Sequence, residues 1–584
     1  MCGIFFSLGR DAYRSPSEHV LKLLRNRGPD SVKEVRVEIE VLDPALDGSI
    51  SEPLYATFVS SVLALRGEYI VTQPLVDEAT RSVLCWNGEA WKIDDNPVTG
   101  NDSEHVFSLL LQDCEAGFDQ DMVVQSMMHI KGPYAFVFYD GRRRRLYFGR
   151  DCLGRRSLLK STGPTGDLIL SSVCDKGVVG QWSEIEADGI HWLDLSSGVI
   201  PVSATESKER HIQNIAFHVA YAQEAGCGEV GSQLSLPYPP LNKSVAPHMA
   251  TSLDPTSPSV RILEEHLRSS LALRVRDVPK RKHAGLNGSG DHISNVAVLF
   301  SGGLDCTVLA RLMHDLLPET ETIDLLNVAF ENPRIHKTSR AHDGPQVYDL
   351  CPDRITAKAS HSELQTVCPG RNWRLVEINV PFKETQAHRD TVIRLMHPHN
   401  TEMDLSIAYA LYFACRGIGV TDDAATTCIH DYATPARVLL SGLGADELFG
   451  GYQRHATAFA RRGYQGLVDE LELDINRLGK RNLGRDDRVL SHWGRETRFP
   501  YLDEDLLKWA LAAPVWEKCG FDQDLSDAME DEAAALEPGK KALRLLAWKL
   551  GMRGVAKEKK RAIQFGARTA KMEGGKMKGT QLIE

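Results

Sequence analysis

The sequence lacks the features of a membrane or secreted protein. Its 584 residues contain no apolar run that approaches the ~20 residues needed for a membrane-spanning helix. The opening MCGIFFSLGR has too short an apolar stretch for a secretory signal, and no basic region precedes it. We therefore expect a cytoplasmic protein with no membrane partner.

Metal-type cysteine spacing, strong positive charge and the common phosphate-loop motif are also missing. The 12 cysteines include no CxxC pair, so neither a zinc site nor a disulfide framework is indicated. A net charge of −11 argues against a nucleic-acid partner, because phosphates attract basic surfaces. GxxxxGK[ST] is absent, which excludes a P-loop nucleotide site. With 42% hydrophobic and 25% charged residues, the chain fits a soluble globular protein of two domains.

Two types of sequence pattern follow one another along the chain. The first ~200 residues read as β-rich, with short apolar or alternating runs at 82–91, 134–140 and 145–151 between turn signals. One helix interrupts them, and Asp102 or Ser103 is placed to cap it. Gly, Ser and Pro dominate around 223–258, which indicates a linker. Beyond it, short β runs alternate with helices, which predicts a parallel sheet covered on both faces.

Cys2 directly follows the initiator methionine, which is commonly removed before a small residue. Removal would leave a thiol and a free α-amine on one residue. An α-amino group titrates near ~7.7–8.0, so it can act as the base that activates the neighbouring thiol. A cysteine at this position is a candidate nucleophile only if other residues of the chain support that chemistry.

Several motifs support it. They are MCGIF, NRGPD (26–30), NGE (87–89), TGNDSEH (99–105) and FGRDCLGRRSLL (148–159). In this order they resemble the class II, N-terminal-nucleophile (Ntn) glutamine amidotransferases, over roughly residues 2–200. The resemblance implies an Ntn-hydrolase αββα-type sandwich in which Cys2 attacks the glutamine side-chain amide, forms a thioester and releases ammonia.

The same resemblance assigns roles to further residues. Asn87 and the backbone N–H of Gly88 match the oxyanion hole, where each donor is worth a few kcal/mol of barrier. Arg66 falls where the family binds the glutamine α-carboxylate, and Glu89 and Asp102 match the partners of the α-amino group. Taken singly, Asn87-Gly88 also fits a hairpin turn, and Asp102 also fits a helix cap.

A second constellation begins at SGGLDC (301–306), between an apolar β run and an amphipathic helix. Glycines and the N–H groups at a helix start suit a bound anion. The loop resembles the SGGxD[ST] loop of ATP pyrophosphatases, and SGLGADELFGGYQRH (441–455) resembles the second signature of asparagine synthetases. The resemblance implies a parallel-sheet, adenine-nucleotide α-hydrolase-like domain, so the fold class is mixed α/β and α+β.

By this resemblance the second domain binds ATP and Mg²⁺. Asp305 and Asp446 are the expected Mg²⁺ ligands, since Mg²⁺ bridges carboxylate and phosphate oxygens. Leu299 and Val328 stand where the family contacts adenine. The other expected nucleotide contacts are Ser301, Gly302, Gly303, Ser441 and Gly442. The family activates aspartate as β-aspartyl-AMP, which ammonia from the first domain converts to asparagine.

Three positions depart from the family pattern. Leu443 replaces a glutamate expected near the amino-acid substrate, and Cys306 replaces a hydroxyl residue that would be the better donor to phosphate. The place of a pyrophosphate-contacting lysine falls on Ala562, where Lys560 or Arg561 is an alternative, and a solvated basic run is another. With the long insertions, these departures bring the chain nearer to the asparagine synthetase domain-containing proteins of eukaryotes.

The expected organisation is an amidotransferase domain at 2–205, a linker at 206–258 and a synthetase domain at 259–584. The leading hypothesis is a glutamine-hydrolysing asparagine synthetase. Two alternatives stay open: an ATP-dependent amide ligase acting on another carboxylate, and a non-catalytic regulatory or binding protein with a degenerate synthetase site. The expected partners are small molecules, namely glutamine, ATP and aspartate or another acid. The sequence leaves the oligomeric state open, a homodimer included.

Overall fold

The computed structural model describes residues 2–41, 52–116, 122–163, 167–174, 181–196, 212–218, 234–245, 252–279, 294–336, 346–422, 429–522, 532–572 and 579–583. The chain divides into two compact units. The first contains residues 1–237 together with 393–400 and 478–495, and the second contains 238–392, 401–477 and 496–584.

The strands are numbered along the chain. Those of the first unit are β1 (Gly3–Gly9), β2 (Ser31–Ile39), β3 (Leu54–Val62), β4 (Leu75–Asp77), β5 (Ser82–Gly88), β6 (Lys92–Ile93), β7 (Asn96–Pro97), β8 (Ile130–Lys131), β9 (Tyr134–Asp140), β10 (Arg145–Arg150), β11 (Leu159–Thr162), β12 (Leu168–Ser171), β13 (Ser183–Glu184), β14 (Gly189–Asp194), β15 (Gln213–His218) and β16 (Leu234–Ser235). Those of the second are β17 (Val296–Leu299), β18 (Ile323–Phe330), β19 (Trp373–Val380), β20 (Ile418–Asp422), β21 (Ile429–Ala433), β22 (Val438–Leu440) and β23 (Glu496–Arg498).

The helices follow the same order. They are α1 (Glu18–Arg27), α2 (Asp102–Ala116), α3 (Met122–Met128), α4 (Pro258–Val275), α5 (Leu304–Leu316), α6 (Pro333–His336), α7 (Gln346–Asp349), α8 (Pro352–Val367), α9 (Phe382–Met396), α10 (Glu402–Arg416), α11 (Ala445–Phe449), α12 (Gln453–Ile475), α13 (Leu478–Arg481), α14 (Leu483–Leu490), α15 (Glu504–Ala512), α16 (Lys541–Lys549), α17 (Arg553–Lys557) and α18 (Ile563–Gly566). Short 3-10 turns lie at Ser491–Trp493, Pro500–Leu502 and Val515–Glu517.

Two large facing sheets form the core of the first unit, beside a small sheet of order β7-β6-β8. Within the described residues, one sheet has the order β13-β11-β12-β1-β3-β2, and the other has the order β16-β15-β14-β10-β9-β5-β4. Alternate residues of their strands point into a shared apolar core, among them Ile4 and Phe6 of β1, Cys85 of β5 and Val137 of β9. This period of two is the packing pattern of a strand with one face on a core.

Helices cover the outer faces of both sheets. The opposite side chains of β5 and β9, such as Trp86 and Phe136, pack with Val106 of α2 and Val124 of α3. Helix α1 lies on the other sheet, where the Ser61 hydroxyl donates to the Leu24 carbonyl at 2.6 Å. The four layers are helix, sheet, sheet and helix, which confirms the predicted Ntn-type sandwich.

The boundaries of the first unit differ from the sequence expectation in two ways. β15 and β16, within the predicted linker at 206–258, extend the second sheet through pairing of β15 with β14. Segments 393–400 and 478–495, within the predicted synthetase domain, pack into the first unit. Residues 206–211, 219–233 and 246–251 of that linker lie outside the described part of the chain.

The second unit is built on one sheet of order β21-β20-β19-β18-β17-β22-β23. The neighbouring strands β19, β18, β17, β22 and β23 run parallel to one another. β20 and β21 add an antiparallel edge beside β19. β18 is buried along its whole length, as expected for a strand with both faces covered. β18 and β22 lie on opposite sides of β17, so the loops after β17 and β22 meet at a topological switch point. Ligands of such sheets bind at that crevice.

Candidate active sites

Cys2 lies at the start of a central strand of the first unit. β1 pairs with β12 on one side and β3 on the other. Cys2 is buried, and the backbone N–H of Ile4 donates to the Ser172 hydroxyl at 3.0 Å. A β-carbon on Gly3 would lie 2.7 Å from the Ser61 hydroxyl and 2.8 Å from a methyl of Leu24. This close packing fixes the backbone that carries the thiol, while Met1 lies outside the described residues.

Arg66 sits on the chain that leaves β3 beside Cys2. Gly3 pairs with Ser61 near the end of β3, and Arg66 follows shortly after. Its guanidinium donates to the Ala90 carbonyl at 3.0 Å and to the Val98 carbonyl. It also lies 3.5 Å from Glu89 Oε2. The structure thus joins Arg66 to the segment that follows Asn87 and Gly88.

Asn87 and Gly88 do not form the hairpin turn that their sequence also allows. They end β5 and pair with Ala135 and Tyr134 of β9, so the turn interpretation is wrong. The Asn87 side chain is fully buried, and neither its amide nitrogen nor its oxygen has a hydrogen-bond partner within the described residues. An unpaired buried amide costs on the order of 1–3 kcal/mol. Such a group fits a donor that is held for a ligand oxygen.

Asp102 is not a helix cap either, and nor is Ser103. Asn101 caps α2, because its side-chain oxygen accepts the backbone N–H groups of Ser103 at 3.0 Å and Glu104 at 3.3 Å. Asp102 therefore turns inward, where one oxygen accepts the Trp86 indole N–H at 3.0 Å and the Ala90 N–H at 2.9 Å. The cap and the functional candidate are adjacent residues with separate tasks.

The charges of this site complement a free amino acid. Arg66, Glu89 and Asp102 are all buried; Arg66 and Asp102 both bond the backbone of Ala90, and Arg66 also pairs with Glu89. One cation and two carboxylates gathered around Ala90 suit the α-carboxylate and the α-ammonium of a bound amino acid. A bound carboxylate would compete most directly with the Glu89 contact, which is the longest of those at Arg66.

The glycine-rich loop of the second unit follows β17 and leads into α5. Gly302 has a φ of +77°, and a β-carbon there would lie 2.5 Å from the Cα of Ala357. The Ser360 hydroxyl holds the loop by donating to the Gly302 carbonyl at 2.6 Å. Gly303 is the N-cap of α5, whose first N–H groups are free of helical partners. Only glycine fits this approach of two backbones.

Cys306 is turned into the loop. Its thiol donates to the Gly303 carbonyl at 3.3 Å and lies 3.7 Å from the Ser301 hydroxyl. Burial raises the pKa of the Cys306 thiol, and the Ser301 hydroxyl opposes this shift. The residue therefore acts as a neutral bracing group of the loop.

Asp305 and Asp446, the expected metal ligands, converge on one ammonium. Lys540 Nζ lies 2.8 Å from Asp305 Oδ1, 2.9 Å from Asp305 Oδ2 and 2.8 Å from Asp446 Oδ1. Lys540 is buried and holds a left-handed backbone with φ of +58°. Burial alone would raise the pKa of Asp446, but the ammonium groups of Lys540 and Lys560 outweigh it and lower that pKa.

Lys560 and Arg561 bind different carboxylates. Lys560 pairs with Asp446, whereas Arg561 lies 3.6 Å from Asp353 and 3.3 Å from the Thr356 hydroxyl. Ala562 only caps the short helix α18. Of the sequence alternatives, Lys560 is the one that lies at the acidic pair, and the basic run is not simply solvated.

The second signature packs directly on the first. A β-carbon on Gly442 would lie 2.8 Å from the Cβ of Asp305, and the Ser441 N–H donates to the Arg498 carbonyl at 3.0 Å. Leu443 is half-buried and presents no charge. Glu447 follows Leu443 in the chain and is buried. Its carboxylate accepts a hydrogen bond from the Tyr452 hydroxyl at 2.6 Å. Burial raises the pKa of the Glu447 carboxyl, and the nearby charge of Asp446 adds to this shift.

The expected adenine contacts lie at or near the carboxyl ends of two neighbouring strands. Leu299 is the last residue of β17 and pairs with Leu326 of β18, two residues before Val328. Leu299 is half-buried, and Val328 is 7% exposed. Both therefore lie at the carboxyl edge of the sheet, beside the glycine-rich loop.

The residues present fit a magnesium ion. The carboxylates of Asp305 and Asp446 already converge on the Lys540 ammonium, with Lys560 also at Asp446, and Mg²⁺ prefers hard ligands such as carboxylate and phosphate oxygens. Within the described residues, no group of three or more His, Cys, Asp or Glu side chains is placed to hold a metal by itself. Such an ion would therefore need the nucleotide as a further ligand.

Lys540, Arg27 and Asn101 are the residues that sequence reasoning missed. Lys540 belongs to neither signature, and its only local signal is the Gly539 before a pair of lysines. Arg27 lies inside the NRGPD motif but had no assigned role. Its Nε donates to the Cys2 carbonyl at 3.2 Å.

Nine cysteines whose side chains the structure describes form no disulfide, and eight of these nine are buried. Within the described part of the chain, none of the helices has the length and apolar character to cross a membrane.

Comparison with known proteins identifies both units. A glutamine amidotransferase domain model matches residues 66–176, and an asparagine synthase model matches residues 382–469 and 460–578. Asn87 and Asp102 lie in the first match, and Asp446 and Lys540 lie in the second. Cys2 and the loop at 301–306 lie outside both.

Full-length relatives give the family. Asparagine synthetase domain-containing protein 1 of Mus musculus is 32% identical over 98% of this chain and 96% of its own length. The Homo sapiens protein of the same name is 32% identical over the same shares. An asparagine synthetase domain-containing protein of Saccharomyces cerevisiae is 36% identical over 90% of this chain and 86% of its own. Because these relatives align over nearly the full length of both chains, this chain belongs to the asparagine synthetase domain-containing protein family.

Proposed function

We propose that this chain is a glutamine-dependent, asparagine synthetase-like ligase. In the first step the Cys2 thiol attacks the side-chain amide carbon of glutamine, and its own α-amine takes the thiol proton. The Asn87 amide and the Gly88 N–H receive the oxygen that becomes charged. Arg66 binds the α-carboxylate, and Glu89 and Asp102 bind the α-ammonium. Ammonia leaves, and water then hydrolyses the glutamyl thioester.

In the second step a carboxylate oxygen of the acceptor attacks the α-phosphorus of ATP, and pyrophosphate leaves. The acyl-adenylate, β-aspartyl-AMP when aspartate is the acceptor, is then attacked by ammonia, and AMP leaves. The first N–H groups of α5 and the ammonium groups of Lys540 and Lys560 receive the phosphate oxygens. Asp305 and Asp446 would hold Mg²⁺, which neutralises charge on the phosphates.

The observation that carries the ligase proposal is the convergence of Asp305 and Asp446 on Lys540 at the glycine-rich loop. A glutaminase alone has no need of it. A buried carboxylate pair with its own countercation suits a ligand that brings both negative phosphates and a metal.

Another acceptor acid is the second candidate. Leu443 and Ala562 both stand where the resembled family carries a charged side chain, so two groups expected near the acceptor and the pyrophosphate are absent. Lys560 at Asp446 offsets the second loss only. An acceptor without a second charged group would fit the remaining site better than aspartate.

Pyrophosphate release tests the proposal. Purified protein receives ATP, Mg²⁺ and glutamine, with aspartate, glutamate and uncharged carboxylic acids supplied in turn. Release that depends on aspartate supports the asparagine synthetase-like reaction, and dependence on another acid supports the second candidate. Asp305→Ala should abolish release. Silence with every acid, together with no nucleotide binding, would contradict the ligase proposal.

A further inference from the structure

Helix α14, from the C-terminal part of the chain, belongs to the first unit. All eight residues of α14 (Leu483–Leu490) are buried, and the segment that carries it packs with the first unit. Its Asp487 carboxylate is completely shielded from solvent. A buried carboxylate needs partners, because an unpaired charge in an apolar interior is strongly disfavoured.

Arg27 connects this carboxylate to the nucleophile. Its Nη2 donates to Asp487 Oδ2 at 2.8 Å, and its Nη1 donates to the Ser491 hydroxyl at 2.6 Å. Its Nε donates to the Cys2 carbonyl at 3.2 Å. One planar guanidinium therefore holds the backbone of Cys2 at one edge and α14 with its following turn at the other.

The motif at 148–159 meets the same carboxylate. The Ser157 N–H donates to Asp487 Oδ2 at 3.0 Å, and Arg156 Nη1 lies 3.6 Å from Asp487 Oδ1. Two sequence elements that the proposed reaction did not use, NRGPD and RDCLGRRS, thus share one partner. Asp487 balances two buried guanidinium groups, those of Arg27 and Arg156.

The neighbouring Arg488 fixes α14 in place. It donates to the Ser157 hydroxyl at 2.8 Å, to Glu184 Oε1 at 2.5 Å and to the Leu395 carbonyl at 2.9 Å. Leu395 belongs to 393–400, the other late segment of the first unit. Asp487 is therefore held rigidly where it can direct Arg27.

We propose that Asp487 is a positioning residue for the Cys2 nucleophile. It acts through Arg27 and does not contact glutamine. Without its charge, the guanidinium groups of Arg27 and Arg156 repel one another in a buried site, and Arg27 turns away from the Cys2 carbonyl. The inference rests on the proposed glutamine hydrolysis at Cys2.

Asp487→Asn in the full-length chain tests this role, since it keeps the shape and removes the charge. We expect kcat for glutamine hydrolysis to fall on the order of 10-fold or more, because small misplacements of a reacting group are costly. KM for glutamine should stay within about threefold, because Arg66, Glu89 and Asp102 are untouched. Asp140→Asn is the matched control: its carboxylate is equally buried in the same unit but lies at the β9–β10 turn, and it should leave both parameters unchanged.

A second measurement separates this inference from the proposed function. Alkylation of Cys2 by iodoacetamide, followed by mass spectrometry of the N-terminal peptide, needs no glutamine site. The rate should fall at least about threefold in Asp487→Asn and not in Asp140→Asn, because reactivity follows the local environment of the thiol. If the wild type hydrolyses no glutamine, the proposed function fails while this rate still tests the positioning role.

Ser491→Ala serves if Asp487→Asn does not fold. It removes only the hydroxyl that receives Arg27 Nη1, so the same loss of kcat at unchanged KM should appear in smaller degree. Wild-type kcat and wild-type alkylation rate in either folded variant would overturn the proposal. So would a loss of kcat that matches the loss of folded protein and equals that of Asp140→Asn.

Discussion

Gly442 and Asp305 are packed so closely that a β-carbon on the glycine would lie 2.8 Å from the Cβ of the aspartate. The two signature segments of the second unit, at 301–306 and 441–455, therefore pack directly against each other. A side chain at position 442 would therefore displace Asp305, whose carboxylate pairs with Lys540.

Gly442→Ala should consequently displace Asp305 without unfolding the unit. We expect ATP-dependent pyrophosphate release to fall on the order of 10-fold or more, since misplaced catalytic groups lose this much. Gly579→Ala is the control, because its β-carbon would meet Met403 only at an ordinary 3.5 Å. Equal rates in the two variants would show that the packing does not position Asp305.

Lys560 and Arg561 offer a paired comparison of adjacent cations. Lys560→Ala should strongly reduce pyrophosphate release, because it removes a charge that pairs with Asp446. Arg561→Ala should have a smaller effect, since Arg561 faces Asp353 instead. Measurement of kcat and KM for ATP in both variants checks the order. A larger loss in Arg561→Ala would contradict the assignment.

Asn87→Ala tests the unpartnered amide in the first unit. We expect kcat for glutamine hydrolysis to fall about 100-fold or more, as when one oxyanion donor is removed elsewhere. KM should change little, because the donor acts on the transition state. The exposed Asn96 of β7, changed to Ala, provides the control. A proportional rise in KM at constant kcat would mean that Asn87 only binds substrate.

Asp353 gives a pH dependence of stability. Burial raises its pKa to about 7, although Arg561 and Lys560 oppose this. Between the usual carboxyl pKa near ~4 and this value, the folded state keeps a proton that the unfolded chain has lost. Stability therefore falls as pH rises through that window, by an amount on the order of 1–4 kcal/mol, and levels off above it.

Asp353→Asn removes this titration. The Tm of the variant relative to wild type should thus improve between about pH 5 and pH 8, because only the wild type loses stability over that range. Differential scanning calorimetry of both proteins across that pH range measures the difference in Tm. Asp349→Asn, at an exposed carboxylate paired with Lys358, should show no such trend. Parallel curves for Asp353→Asn and wild type would refute the shifted titration.

Sequence patterns predicted the two folds and supplied the candidate site residues, but they did not predict the residues that hold those candidates in place. Cys2, Asn87 and Asp305 stand in short sequence motifs, so each could be singled out as a candidate from its immediate neighbours. The interpretation of Asp102 as a cap failed because Asn101, one residue earlier, also has a capping side chain, and local sequence does not rank them.

Long-range partners could not be predicted. Lys540 meets Asp305 across more than two hundred residues of chain, and Asp487 meets Arg27 across more than four hundred. No periodicity records such pairs, and a buried lysine or aspartate looks like a solvated one in sequence. The placement of 478–495 in the first unit likewise depends on tertiary packing, which a linear boundary does not express.

In the proposed reaction, nitrogen freed at Cys2 is used in the second unit. The direct test supplies amide-¹⁵N glutamine, ATP, Mg²⁺ and the acceptor acid, with unlabelled ammonium in excess, and follows the label in the product amide by mass spectrometry. We expect mostly ¹⁵N product from wild type and only unlabelled product from Cys2→Ala. Label diluted to the proportion of free ammonium in the wild type, or ¹⁵N product from Cys2→Ala, would contradict it.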